Sequence, residues 1–208
     1  MAVEVHPPDR VVVRSPMFCS QRKIRQFLQH HTQWINGRLA YYRENPGLPE
    51  ITFHKGSRLF LLGKPYEIRA ESGSKRAVVL SEQQIYFTKP DYKAGDEVSA
   101  LNRWYRQWAE AYFFERAQTL HANAAIELPQ FVCKVRKMKR QWGNCSRKAE
   151  IKFNLNLIQY PEDCIDYVIY HEMSHLLHFN HSKAFYNVLE TLCPEWRSLK
   201  HKLETFSP

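Results

Sequence analysis

His171-Glu172-Met173-Ser174-His175 is the stretch that decides how this chain is read. Residues four apart on a helix lie one above the other, so His171 and His175 point two imidazoles toward one ion. Zinc accepts neutral imidazole nitrogens at about 2.0–2.1 Å and favours a tetrahedral shell. Glu172 adjoins the first ligand and reaches a metal-activated water as general base. The pattern therefore predicts a Zn2+ site that hydrolyses a peptide bond without a covalent intermediate.

A catalytic zinc needs a third protein ligand and one open position. His178, seven residues after His171, would sit about 10.5 Å further along a continuous helix, too far to share an ion. His181 requires the chain to turn after His175. Phe179-Asn180 offers the means, because Asn tolerates the left-handed conformation that ends helices. The spacing of His171, His175 and His181 equals that of the long zincin motif H-E-x-x-H-x-x-G-x-x-H. His178 occupies the glycine position and no Met-turn follows, so the spacing favours His181 without supporting membership of the metzincins. Two alternatives stay open. Asn144-Cys145-Ser146 is similar to the segment carrying the cysteine ligand of peptide deformylases, although their companion motif is missing; Glu190 or Glu195 would instead give a gluzincin-type shell.

Outward from the motif, Pro161 fits the first position of the helix, with Glu162 and Asp163 near its positive end. Ile165, Val168, Ile169, Met173 and Leu176 supply its core face, and a further helix starts after Ser182 and is interrupted at Pro194. Upstream, two extended segments, 132–139 and 150–157, are joined by Arg140-Gln141-Trp142-Gly143-Asn144-Cys145-Ser146. A long amphipathic helix precedes them, its stripe marked by Leu101, Trp104, Tyr105, Trp108, Tyr112 and Leu120. Before it, 51–88 reads as a meander of short strands, at 58–62, 66–71, 77–80 and 84–87, with turns at Gly63-Lys64-Pro65 and Gly73-Ser74.

Near the start, a short extended run covers Val11–Val13. Ser20 caps a helix over about 20–43, whose apolar face is Ile24, Phe27, Leu28, His31, Trp34, Ile35, Leu39 and Tyr42, and Pro46, Gly47 and Pro49 end it. The whole reads as α+β. An N-terminal helix-plus-meander portion, 1–95, precedes a zincin-like core, 96–208, in which the active-site helix packs on a small sheet, the two making one integrated unit.

Composition sets the wider bounds. Hydrophobic residues at 44% and aromatics at 13% indicate a packed core. No apolar run is long enough to cross a membrane. The first twenty residues lack a basic, then apolar, leader. Five scattered cysteines without a C-x-x-C pair read as reduced thiols, which places the protein in the cytoplasm. The net charge of +9 favours anionic partners.

The residues around the motif also resemble the YgjP-like metallopeptidases, relatives of the SprT-like and WLM zinc proteases. The likeness rests on Met138-Lys139-Arg140-Gln141-Trp142-Gly143-Asn144-Cys145-Ser146, on Ile151, Asn154 and Leu157, on 165–172, and on Asn180-His181-Ser182 with Phe185. Phe27, Trp34-Ile35, Leu62-Gly63-Lys64-Pro65-Tyr66 and Trp104-Tyr105 match more loosely. Asn144 stands where the family often carries Ser. The resemblance implies His171, His175 and His181 as zinc ligands and Glu172 as catalytic acid/base. Some of those relatives act on DNA-bound or crosslinked proteins, so by analogy it brings in a DNA-associated role.

The tract from Lys134 to Lys148 carries seven basic residues, Lys134, Arg136, Lys137, Lys139, Arg140, Arg147 and Lys148. It reads as the charged edge of a β-hairpin, which keeps sheets from pairing edge to edge. Beside the zinc helix, such an edge would take an extended polypeptide substrate by strand addition, with Trp142, Gly143 and Asn144 contacting it. Two other functions compete with the peptidase reading. One is a basic nucleic-acid-associated protein, binding through 134–148 with its zinc structural or its protease activity ancillary. The other is a metal amidohydrolase of small substrates. The oligomeric state is not encoded in these patterns.

Overall fold

The computed structural model describes residues 1–6, 10–44, 51–139 and 141–206. It is α+β, and its contacts divide it into two compact units: Met1–Pro49 with Thr205–Pro208, and Glu50–Glu204.

In the first unit, strands β1 (Ala2–His6) and β2 (Arg10–Arg14) pair antiparallel, with Ala2 opposite Arg14. The sequence suggested only the second of these, around Val11–Val13. Helix α1 covers Gln21–Glu44. Ser20 caps it as expected: its carbonyl accepts from Ile24 N at 3.2 Å and its hydroxyl from Lys23 N at 3.4 Å. Of the expected apolar face, Ile35 is buried, whereas Trp34 is 48% exposed. The Tyr42 side chain and the Pro46-Gly47-Pro49 terminator lie outside the described residues.

The second unit begins with strands β3 (Arg58–Leu61), β4 (Lys64–Ser72), β5 (Ala77–Leu80) and β6 (Gln84–Lys89). All four strands fall where alternation put them, but they do not form a meander. The sheet order is β3-β4-β6-β5, with β6 parallel to β4. The chain leaves β4, passes to the outer position as β5, and returns between the two as β6. Gly73 permits this close passage: a Cβ there would lie 2.9 Å from Thr88 Cβ. The first turn is Leu62-Gly63, both with positive φ, rather than the three residues from Gly63.

Helix α2 (Asp96–Ala122) follows. Its buried stripe is Leu101, Tyr105, Ala109, Phe113, Ala117 and Leu120. Trp104, Trp108 and Tyr112 flank that stripe half-buried, Trp108 and Tyr112 stacked at 5.7 Å. Small alanines at every second turn let α2 seat close to the sheet, and the large rings shift to the border.

Strands β7 (Val132–Arg136), β8 (Gly143–Cys145) and β9 (Glu150–Asn154) form a second sheet of order β7-β9-β8. The expected hairpin of 132–139 on 150–157 is therefore corrected. Those two segments run parallel, and the linker between them supplies the edge strand β8, antiparallel to β9. Residues 155–157 leave the sheet as the start of a 3-10 turn, Leu155–Gln159, capped by the Asn154 side chain accepting from Asn156 N at 3.1 Å. Helix α3 (Glu162–Ser174) comes next, with Pro161 at its N-cap, then α4 (Lys183–Leu192) and α5 (Trp196–Thr205).

Hydrogen bonds run across the polar linker near residue 95. The turn of β3 and β4 is tied to the approach to α3: Leu62 N donates to Ile158 O at 2.8 Å and Gly63 N to Gln159 O at 3.0 Å. The Glu97 carboxylate, buried at the start of α2, accepts from Lys55 N at 3.2 Å, Gly95 N at 2.8 Å and the Tyr92 hydroxyl at 3.1 Å. These bonds join the four-stranded sheet to the helical core.

Candidate active site

Helix α3 packs on β8 and β9 by its buried face, which includes Ile165, Ile169 and Met173. Its N-terminal half is braced by Arg116 of α2, whose guanidinium donates two bonds to Asp166 at 2.7 and 2.5 Å. A face spaced in fours then presents Tyr167, His171 and His175.

The helix stops at Ser174. Leu176 N and Leu177 N bond back three residues, to Met173 O at 2.9 Å and Ser174 O at 3.2 Å. This tightened turn reverses the chain. Asn180 is not among the residues of positive φ, so the left-handed residue expected there is not used. Ser182 then caps α4 through its hydroxyl, which accepts from Phe185 N at 3.4 Å. The reversal brings His181 back over α3.

The outcome is a cluster of three imidazoles. Ligand atoms of His171, His175 and His181 all lie within 4.8 Å of one another. His171 Nε2 and His181 Nε2 are 3.2 Å apart. Two zinc-bound nitrogens in a tetrahedral shell stand about 3.3 Å apart, given bonds of about 2.05 Å. The rings surround Phe185, which is fully buried, at centroid distances of 5.1, 4.6 and 4.7 Å for His171, His175 and His181. His175 Nδ1 lies 3.0 Å from His178 O, which accepts its proton and leaves Nε2 free as a ligand. Burial, with the neighbouring His175, His181 and Lys200, lowers His171 to about 4, and burial also lowers His175, so both are neutral as metal ligands must be. The donor set and its spacing fit a zinc ion.

Glu172 lies beside this cluster, facing β8. A Cβ on Gly143 would come within 2.6 Å of Glu172 Cγ and 2.7 Å of Oε1, so only glycine fits there. Glu172 Oε2 is buried with no hydrogen-bond partner among the described residues, and the same holds for His171 Nδ1. Burial pushes the Glu172 carboxyl up to about 8. A cation held by the imidazoles would act against that shift and stabilise the carboxylate.

The other candidates fall as follows. Trp142 and Gly143 line a cavity of about 220 Å³ together with His171 and Glu172, and Trp142 packs edge-on against Tyr160 at 4.7 Å. Asn144 pairs with Lys152 across β8 and β9 and is not among the lining residues. Cys145 and the two glutamates are outside the ligand cluster. The Cys145 thiol is pushed up to about 11, first by burial and then by the Glu172 charge. Glu190 is exposed and pairs with Arg197 at 3.0 Å. Tyr167, Lys200, Leu203 and Glu204 also line the cavity and were not anticipated. Tyr167 had a signal, being four residues before His171; the α5 residues had none.

In the basic tract, Lys134 ion-pairs with Glu150, which also binds Lys152 at 2.7 Å, and Arg147 lies over the Phe179 ring at 5.8 Å. Arg140 lies outside the described residues.

A helix carrying two imidazoles and a glutamate, with a third imidazole folded back onto them, is the constellation of a metallopeptidase. A sequence model of the YgjP-like metallopeptidase domain matches residues 1–206, and this chain belongs to that family. Among solved structures, it is similar to the metallopeptidase zymogen abylysin of Pyrococcus abyssi, with 20% identity and a TM-score of 0.38 over 46% of this chain and 91% of that one. It is also similar to the zymogen jannalysin of Methanocaldococcus jannaschii, with 22% identity and a TM-score of 0.33 over 46% and 96%. Comparison with curated proteins finds no match. No helix among the described residues is long and apolar enough to cross a membrane.

Proposed function

We propose that the chain is a zinc-dependent peptidase acting on polypeptide, with His171, His175 and His181 holding the metal and Glu172 serving as general base. The observation that carries this is the convergence of three imidazoles beside a buried carboxylate oxygen that has no partner among the described residues. When bound, zinc supplies Lewis acidity to the scissile carbonyl and to the attacking water.

The chain's own residues do the rest. Glu172 accepts the water's proton on a carboxylate whose place is fixed by Gly143. The same group, once protonated, then gives that proton to the leaving amine. The His178 carbonyl orients His175 by accepting its Nδ1 proton. Among the described residues strand β8 has one neighbour in its sheet, and its outer edge would take an extended substrate strand running past Glu172.

The test is metal analysis with proteolysis of an unfolded protein. Wild type should hold one zinc per chain, and His181→Ala should lose most of it. Glu172→Gln should keep its zinc while cleaving about 10²–10⁴-fold more slowly. Undiminished cleavage by that variant would falsify the assignment.

A further inference from the structure

The cavity next to Glu172 is bounded by three pieces of chain: Trp142 and Gly143 at β8, Tyr167 and Val168 on α3, and Lys200, Leu203 and Glu204 on α5. We propose that it is the subsite for one large apolar substrate side chain, aromatic or long aliphatic, adjoining the scissile bond. This rests on the peptidase reading above.

Size is the first argument. At about 220 Å³ the cavity is below the 300–1,000 Å³ typical of sites for whole small molecules, and suits a single side chain.

Lining chemistry is the second. Val168 and Leu203 are 4% and 6% exposed and, with the Tyr167 ring, form an apolar wall. Lys200 and Glu204, both exposed, stand one helical turn apart and carry opposite charges. A charged side chain placed against Val168, Leu203 and the Tyr167 ring would lose its hydration to apolar groups that return no hydrogen bond. Position is the third argument. His171 and Glu172 belong to the same lining, so a side chain seated in the cavity holds its own backbone at the reacting groups.

Leu203 is a buried lining residue on α5, and it is remote in sequence from the proposed metal ligands. Enlarging or shrinking it alters which side chain fits without touching a proposed ligand or base.

Digestion of a peptide library by the zinc-loaded protein should show one position next to the cut enriched in Phe, Leu, Met or Tyr over Ala. The expected enrichment is about 10- to 100-fold, the value of burying such a side chain. Leu203→Ala should move that preference toward Trp, and Leu203→Phe toward Val and Ala; thermal melting of both variants checks that they fold. A second measurement needs no turnover. The Glu172→Gln protein, methyl-labelled, is titrated with two blocked peptides that differ only in Phe or Ala. The Phe peptide should bind at least tenfold tighter and shift the Leu203 methyl signals.

A flat library position, or equal affinity for the two peptides, overturns the subsite. If the wild type still cleaves and Glu172→Gln does not, the peptidase reading survives that failure. If the wild type never cleaves, the peptidase reading fails and the titration alone decides whether the cavity selects apolar groups.

Discussion

Gly143 and Glu172 show how narrowly single residues fix this site. The β8 backbone runs where a methyl group would collide with the glutamate, at 2.6 Å from its Cγ. We expect Gly143→Ala to push the carboxylate aside. Because misplacement of a reacting group by about 1 Å costs on the order of 10²-fold, peptidase turnover should fall by about that factor. Zinc content should stay at one per chain, as measured by metal analysis on the same sample. Phe185 belongs to the same scale. It is fully buried beneath all three imidazoles, so Phe185→Ala should cost about 3–5 kcal/mol of stability in a denaturant titration. It should also weaken zinc retention, since the rings lose their common support. At this scale the sequence is legible where geometry depends on spacing: that His171 and His175 share one face of α3 follows from their four-residue separation. Gly143 stood within the quoted block as a substrate contact, but its closeness to Glu172 depends on β8 pairing with β9, which no local pattern encodes.

At the scale of elements, strand positions were legible and strand partners were not. Alternation and turn residues located β3 to β6 within a residue or three. The parallel β4–β6 and β7–β9 pairings depend on contacts distant in sequence. The return of the chain after His175 shows a different limit: three-residue backbone bonds at 173–177, not an Asn-based left-handed turn, make the reversal. Two elements meet at Glu97, which joins the start of α2 to the loops at Lys55 and Gly95. Burial raises its carboxyl, but the bonds from backbone N–H groups and from Tyr92 outweigh that, and the net shift is downward. A depressed carboxyl contributes stability above its unfolded pKa of about 4.3, and that contribution is lost as pH falls through the lower folded value. Glu97→Gln should therefore lower the melting temperature at pH 7 and flatten the acid limb of the stability curve below pH 4.5. A variant whose acid limb is as steep as that of wild type would show the carboxylate to be irrelevant. Glu97→Ala, which leaves those buried donors unanswered, should cost about 1–3 kcal/mol by denaturant titration.

At the scale of the whole molecule, contacts distant in sequence hold the unit Glu50–Glu204 together. The four-stranded sheet belongs with the helical core because two backbone bonds, from Leu62 and Gly63, fasten its turn to the residues entering α3. Hydrophobic periodicity cannot show such a fastening. If the three imidazoles hold zinc, the unit Glu50–Glu204 should melt as a metal-linked body. With zinc at about a thousand times its dissociation constant, binding adds about 4 kcal/mol. Removing it with a chelator should lower the melting temperature by roughly 10 °C for a unit of this size, read by calorimetry.

The chain reversal between α3 and α4 has a consequence for how the protein first acquires its metal. All three imidazoles fall within eleven consecutive residues, His171 to His181. Loops of about ten residues close in about 10–100 ns, far faster than a sheet with distant pairings assembles. If the three imidazoles hold zinc, an unfolded or newly made chain would already carry the short segment that captures it. The ion would then act as a nucleus around which α3 and the turn condense, before β8 arrives to set Glu172. Capture by the unfolded chain also subtracts from the native state's advantage, so the calorimetric shift should fall short of its simple mass-action value.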